Sequence, residues 1–150
     1  KIINLDKDNF SEKITLRITA PVGLDLPKNR FLSRLIINSL FNKDLILFGQ
    51  GRRVQNYIHT DDICRFIEIC IRKKFNGIFN LGGISSIANL DLAKLCIKKT
   101  NSESSIKFIG KDIEEDFRWI VSMEKANSNL GFEPKYDIDY IVEEQISNLK

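Results

Sequence analysis

Histidine is almost missing from this chain, and the other soft metal ligands are sparse. His59 and the three cysteines Cys64, Cys70 and Cys96 are the whole supply in 150 residues. No two cysteines form a CxxC pair, so no zinc-type ligand set assembles at the usual spacings and no metal site is expected. The cysteines fall inside apolar helical patterns, where a reduced thiol behaves as a small hydrophobe, and a reduced, cytoplasmic chain follows. Long apolar runs are missing too. Nothing approaches the roughly 20 residues a membrane helix needs, and residues 1–14 lack a signal-peptide pattern, so no membrane partner is expected. Charge of one sign is equally scarce, since 23 basic residues face 20 acidic ones for a net charge of +3. Phosphate-driven binding needs a concentrated basic stripe, and Arg52, Arg53, Lys73 and Lys74 lack interleaved aromatics, so no nucleic acid is expected. An initiator methionine is absent as well. The chain opens on KIINL, an apolar cluster that reads as the tail of something longer, and a fragment is expected.

What is present suits one compact domain, with 43% hydrophobic and 29% charged residues. Ile14 to Thr19 alternates as a strand should and stops at Ala20-Pro21, where proline ends the ladder. Apolar residues then recur at helical spacing from Arg30 to Phe41. Leu45 to Phe48 is a short buried strand closed by Gly49 and Gly51. Asn56 to Thr60 alternates again, with Tyr57 and His59 on one face and Asn56, Ile58 and Thr60 on the other. Thr60, Asp61 and Asp62 suit a helix start. The helix after them carries Ile63, Phe66, Ile67, Cys70 and Ile71 on one stripe and ends at Gly77. Ile78 to Leu81 is a strand, Asn89 caps a helix over Leu90 to Lys99, and Ser105 to Ile109 and Arg118 to Val121 are further strand candidates. Met123 to Leu130 and Ile138 to Leu149 are helical. Strand and helix alternate throughout, which predicts an α/β class.

The stretch LILFGQGRRVQNYIHTDDI, Leu45 to Ile63, carries the chemistry. Two glycines let the backbone turn tightly, so Arg52 and Arg53 leave the turn with long reach. The aspartates occupy the positive end of the next helix, so an anion here has to be held by side chains. Arginine suits phosphate through its planar fork, and Gln55 adds a neutral hydrogen bond. From spacing alone a solvated turn accounts for the two arginines better than an anion site does.

Four segments, LRITAPVG (Leu16 to Gly23), LILFGQGRRVQNYIHTDDI, GIFNLGG (Gly77 to Gly83) and MEKANSNLGFEP (Met123 to Pro134), together resemble the C-terminal half of the NAD-dependent epimerase/dehydratase family. These are extended short-chain dehydrogenases acting on nucleotide sugars. The likeness runs in order over almost the whole chain. It implies the last strands of a Rossmann-like sheet plus a small α/β substrate-binding lobe, spanning residues 1–150, with the N-terminal Rossmann part absent. Thr19 and Pro21 would then lie beside the cofactor, NAD or NADP, and Ala20 beside the sugar, where many members carry an asparagine. Ile46 and Phe48 would line the nucleobase pocket, although Phe48 reads equally well as core. The family's diphosphate-gripping arginine is replaced by Gln55, which makes Arg53 the first choice for the compensating contact and Arg118 a further one. The family accepts histidine or tyrosine where His59 stands, so a packed or surface histidine is expected there rather than a catalytic one.

The resemblance also shows what this chain lacks. The family needs a glycine-rich strand-to-helix turn for the dinucleotide, and no GxxGxxG occurs. It needs a Tyr-x-x-x-Lys pair, in which lysine lowers the tyrosine pKa. Tyr57, Tyr136 and Tyr140 are instead followed four residues later by Asp61, Tyr140 and Glu144. No catalytic residue is therefore assigned, and Lys1 to Leu5 looks like the tail of the missing Tyr-Lys helix. The expectation is the nucleotide-sugar-binding part of an epimerase, or of a dehydratase or reductase of the same family, inactive alone. The implied partners are a nucleoside-diphosphate sugar and, for the intact enzyme, a second copy in a homodimer. The competing reading is a stand-alone, non-catalytic nucleotide-sugar-binding module.

Overall fold

The computed structural model of this chain describes residues 13–111 and 120–149. Seven strands and five helices alternate there: β1 (Ile14–Ile18), β2 (Ala20–Val22), α1 (Phe31–Leu40), β3 (Leu45–Phe48), β4 (Val54–His59), α2 (Thr60–Arg72), β5 (Gly77–Leu81), β6 (Ser86–Ala88), α3 (Asn89–Thr100), β7 (Ile106–Ile109), α4 (Glu124–Leu130) and α5 (Ile138–Leu149). The strands form three small sheets. β1 runs parallel to β5, β3 runs parallel to β7, and β4 lies between parallel β2 and antiparallel β6.

β4 is the seam of the molecule, because its alternating side chains feed two separate cores. Tyr57 joins a cluster with Leu32, Leu35 and Ile36 of α1, Leu45 and Leu47 of β3, Cys96 of α3 and Ile141 of α5. Ile58, its neighbour in sequence, points the other way into a cluster with Phe66, Phe79, Leu81, Leu130 and Phe132. In that second core Phe66 packs edge-on against Phe79 at 5.3 Å and Phe132 at 5.0 Å between ring centroids. Each such fully buried side chain contributes about 1.5–3 kcal/mol relative to leaving it in water.

Four expectations need correction. Pairing does not stop at Pro21, since β2 aligns Ala20, Pro21 and Val22 with Tyr57, Ile58 and His59. β2 is an edge strand, which turns only alternate N–H groups toward its single neighbour, so a proline is tolerated. Thr60 is the first helical residue of α2 rather than its cap; the His59 ring accepts from the Asp61 N–H at 3.1 Å instead. Ile67 and Ile71 are 40% and 67% exposed, because α2 turns Phe66 and Cys70 inward and leaves those two on its flank. Ile120 and Val121 belong to no strand, while Arg118 lies outside the described residues. The three-residue β6 escaped the sequence reading because it is too short to show a period.

Candidate functional site

Residues 53, 55, 57 and 59 of β4 and the residue before it share one face, by the two-residue period of a strand. This row, Arg53, Gln55, Tyr57 and His59, extends about 20 Å along the chain. Gln55, Tyr57 and His59 line a cleft of ≈ 700 Å³, whose other wall is Ala20 to Pro27 together with Arg30 and Phe31 at the start of α1. Arg53 and Gln55 also meet Thr19 and Ala20 in a smaller recess of ≈ 220 Å³. Gln55 is held in place by Asn89, the first residue of α3, with 2.7 Å between the Gln55 Nε2 donor and the Asn89 Oδ1 acceptor. Asn89 therefore orients a site side chain instead of capping its helix.

Charges of both signs surround the cleft: Asp25, Arg30, Asp61 and Glu144 line it, and Arg53 lies in the adjoining recess. Tyr57 is buried, and its hydroxyl has no hydrogen-bond partner among the described residues. Burial pushes the phenol well above its ordinary pKa, the neighbouring Cys96 thiol adds to the rise, and Arg53 opposes it. With its hydroxyl buried and its pKa raised, Tyr57 is no general base.

Asn56, on the opposite face of β4, ties the strand ends together. Its Oδ1 accepts from the Gly83 N–H at 2.7 Å and the Thr19 hydroxyl at 3.0 Å, and its Nδ2 donates to the Gly83 and Ser85 carbonyls. Gly83 has to be glycine here, because a Cβ would come within 1.7 Å of the Tyr57 carbonyl oxygen. The Thr19 hydroxyl is consequently spent on structure, and what residues 19–21 present to a ligand is backbone, the Ala20 methyl and the Pro21 ring.

The closed end of the cleft is latched by α5. His59 is buried, and its Nδ1 accepts from Asp61, so its Nε2 carries the proton donated to Glu144 Oε2 at 2.8 Å. The ring also packs on Tyr136 at 4.5 Å. Gln145, the next residue of α5, donates to the Gly23 carbonyl at 2.9 Å. Asp62 is fully buried, accepts the Lys135 and Tyr136 backbone N–H groups and pairs with Arg65. It is an anchor for the chain entering α5, not the cap its position suggested.

Among the residues singled out from the sequence, Thr19, Ala20, Arg53 and Gln55 come together in the recess, and Pro21 joins Ala20 and Gln55 in the cleft. Ile46 and Phe48 do not join them. They alternate with buried Leu45 and Leu47 on β3 and are 48% and 68% exposed, so Phe48 is not core. Sequence reasoning missed Arg30, Phe31 and Glu144, which reach the cleft from α1 and α5. Arg30 follows the Pro27 turn and opens an amphipathic helix, the one local signal available; nothing local marked Glu144. Among the described residues no cluster of three or more His, Cys, Asp or Glu could hold a metal ion, and no helix is long and apolar enough to cross a membrane.

No protein-family model matches the chain. It is 28% identical over 94 residues to a dTDP-glucose 4,6-dehydratase of Streptomyces griseus, a match covering 61% of this chain and 29% of that protein. Its fold superimposes on a UDP-glucose 4-epimerase of Thermotoga maritima solved with UDP-glucose, with a TM-score of 0.82 at 21% identity, over 91% of this chain and 45% of that one. A dTDP-glucose 4,6-dehydratase of Bacillus anthracis in complex with NAD gives a TM-score of 0.79 at 23% identity, over 90% and 43%. The chain thus spans under a third of that curated relative and under half of each of these structures.

Proposed function

On the premise that this chain belongs with the NAD-dependent epimerase/dehydratase family, from which its homologues and structural neighbours come, we propose that it is the nucleotide-sugar-binding part of such an enzyme. Its parallel α/β arrangement is the Rossmann-like fold of the extended short-chain dehydrogenases. The observation that supports the assignment most is the convergence of Arg53, Gln55 and Ala20 beside a cleft large enough for a nucleotide sugar. Arg53 takes the diphosphate, replacing the charge that Gln55 lacks, and Gln55 adds a neutral hydrogen bond while Asn89 holds its amide. The sugar lies toward Ala20 and Pro21.

The chain fits one end of NAD and not the other. Residues 19–21 offer backbone and the Pro21 ring beside the cleft, whereas the sequence offers no glycine-rich turn for the pyrophosphate. The chemistry that NAD would supply there, with residues 19–21 beside it, is reversible acceptance of a hydride from the sugar. This chain's share is to bind and orient the sugar, and it holds no residue paired to take the hydroxyl proton. The same share serves epimerisation and dehydration.

Titration calorimetry of the purified chain with UDP-glucose and with dTDP-glucose tests the reading. Saturable binding to at least one is expected, and Arg53→Ala should weaken it about 10-fold or more, the worth of a charge-assisted hydrogen bond. No turnover of either sugar is expected on adding NAD. Absence of binding to both, or turnover by the chain alone, sinks it.

A further inference from the structure

Gln145 is polar, only 3% exposed, and set in an apolar stretch of α5. Ile141, Val142 and Ile146 around it belong to the core that includes Tyr57, and Leu26, from the loop after β2, packs against the same core. Burying an amide costs free energy unless it is hydrogen-bonded, so its partner explains its presence. That partner is the Gly23 carbonyl, 2.9 Å from the Gln145 Nε2 donor.

Gly23 is where one wall of the cleft begins. β2 ends at Val22, and the chain then makes two turns in succession. In the first the Leu26 N–H donates to the Gly23 carbonyl at 3.2 Å, and in the second the Arg30 N–H donates to the Pro27 carbonyl at 3.0 Å. Gly23 to Pro27, with Arg30 and Phe31, make up the wall across from Gln55, Tyr57 and His59. The Gly23 carbonyl therefore accepts twice, once from within the wall and once from α5. Its other side is fixed as well, because a Cβ on residue 23 would collide with the Thr60 side chain at the start of α2. Val22 lies beside His59 in the β2–β4 ladder, and Glu144, the residue before Gln145, accepts from His59. Two consecutive residues of α5 thus hold the points at which the two walls leave the sheet. Glu144 lines the cleft and Gln145 does not.

We propose that Gln145 is a positioning residue: by holding the Gly23 carbonyl it fixes the wall of residues 23–27 in its binding-competent place, and so raises the affinity of the cleft for a nucleotide sugar without touching the ligand. What the cleft takes rests on the nucleotide-sugar reading, whereas the dependence of the wall on Gln145 rests on the hydrogen bonds alone. Without the Gln145 bond the turn keeps its Leu26 contact but samples more conformations, and a ligand has to reorder it on binding. The affinity lost is then about 5-fold, the scale of one net hydrogen bond.

Gln145→Met in the whole chain tests it. Methionine matches glutamine in length and helix propensity, adapts to the packing around Ile141, Val142 and Ile146, and cannot donate. The Gly23 carbonyl keeps its Leu26 donor, so the exchange of a buried amide for an apolar group of similar shape is close to neutral for the fold. Gln145→Leu is the second variant, should methionine disturb the packing. Three quantities are read: the urea midpoint, exchange of the Leu26 amide by NMR without ligand, and the dissociation constants of UDP-glucose and dTDP-glucose by titration calorimetry. The expected result is an unchanged midpoint and a Leu26 amide that exchanges about 5-fold faster or more, with the Phe66 amide of α2 unaffected and sugar binding weakened about 5-fold. A residue that served packing alone would lower the midpoint and speed exchange at Phe66 too, and that outcome in both variants overturns the proposal. So does an unchanged Leu26 rate, or a faster one with unchanged affinity. If the unaltered chain binds neither sugar, the nucleotide-sugar reading falls on that result, whereas the Leu26 rate still decides whether Gln145 holds the wall.

Discussion

Single residues in this chain change meaning with their surroundings. Cys64, Cys70 and Cys96 look alike in sequence, yet only Cys64 is exposed. Burial pushes the Cys96 thiol up to about 12, and burial raises Cys70 as well. Because the folded pKa of Cys96 lies above its ordinary value, the folded state binds the proton more tightly than the unfolded chain does. Its contribution to stability is therefore complete below pH about 9 and is lost as pH rises toward about 12. Urea unfolding between those limits should show stability falling with pH, and Cys96→Ala should flatten the slope, with Tyr57 supplying the remainder in the same direction. A pH-independent stability across that window would contradict the assignment. The aspartates make the same point. Asp61 and Asp62 both read as helix-start residues, and only the fold separates an exposed one from one that is fully buried.

At the scale of elements, the structure depends on side chains that join segments distant in sequence. Asp62 of α2 holds the backbone of Lys135 and Tyr136, which leads into α5, and α5 in turn holds His59 and Gly23 at the cleft. Asp62→Asn keeps the shape but removes the charge and turns one acceptor into a donor facing backbone N–H groups. It should cost about 2–4 kcal/mol in urea unfolding, as expected when buried backbone N–H groups lose a charged acceptor. A loss under 0.5 kcal/mol would show that the anchor is dispensable. The α2 stripe was misread for a related reason. Helical spacing alone groups Phe66, Ile67, Cys70 and Ile71, but only the position of β5 and α4 decides which part of that arc is covered.

At the scale of the molecule, two cores share one strand. Tyr57 and Ile58 are adjacent, and each is buried in a different cluster, so unfolding either core removes a wall of the other. Near- and far-ultraviolet circular dichroism should therefore report one coincident urea transition. Two separated transitions would mean that β4 does not couple the halves. Much of this architecture was legible beforehand: the alternation of strand and helix, the bounds of β3 and α5, β7 to within one residue, and the grouping of Ala20, Arg53 and Gln55. Those features follow from local periodicity, turn residues and a resemblance carried by short motifs, all of which a linear sequence contains. Tertiary structure alone decided that Pro21 continues a ladder, that His59 caps α2 while donating to Glu144, and that Asn89 orients Gln55. Each of these depends on which polar group from a distant segment lies within 3 Å or so, and that proximity is a product of packing, which no local pattern encodes.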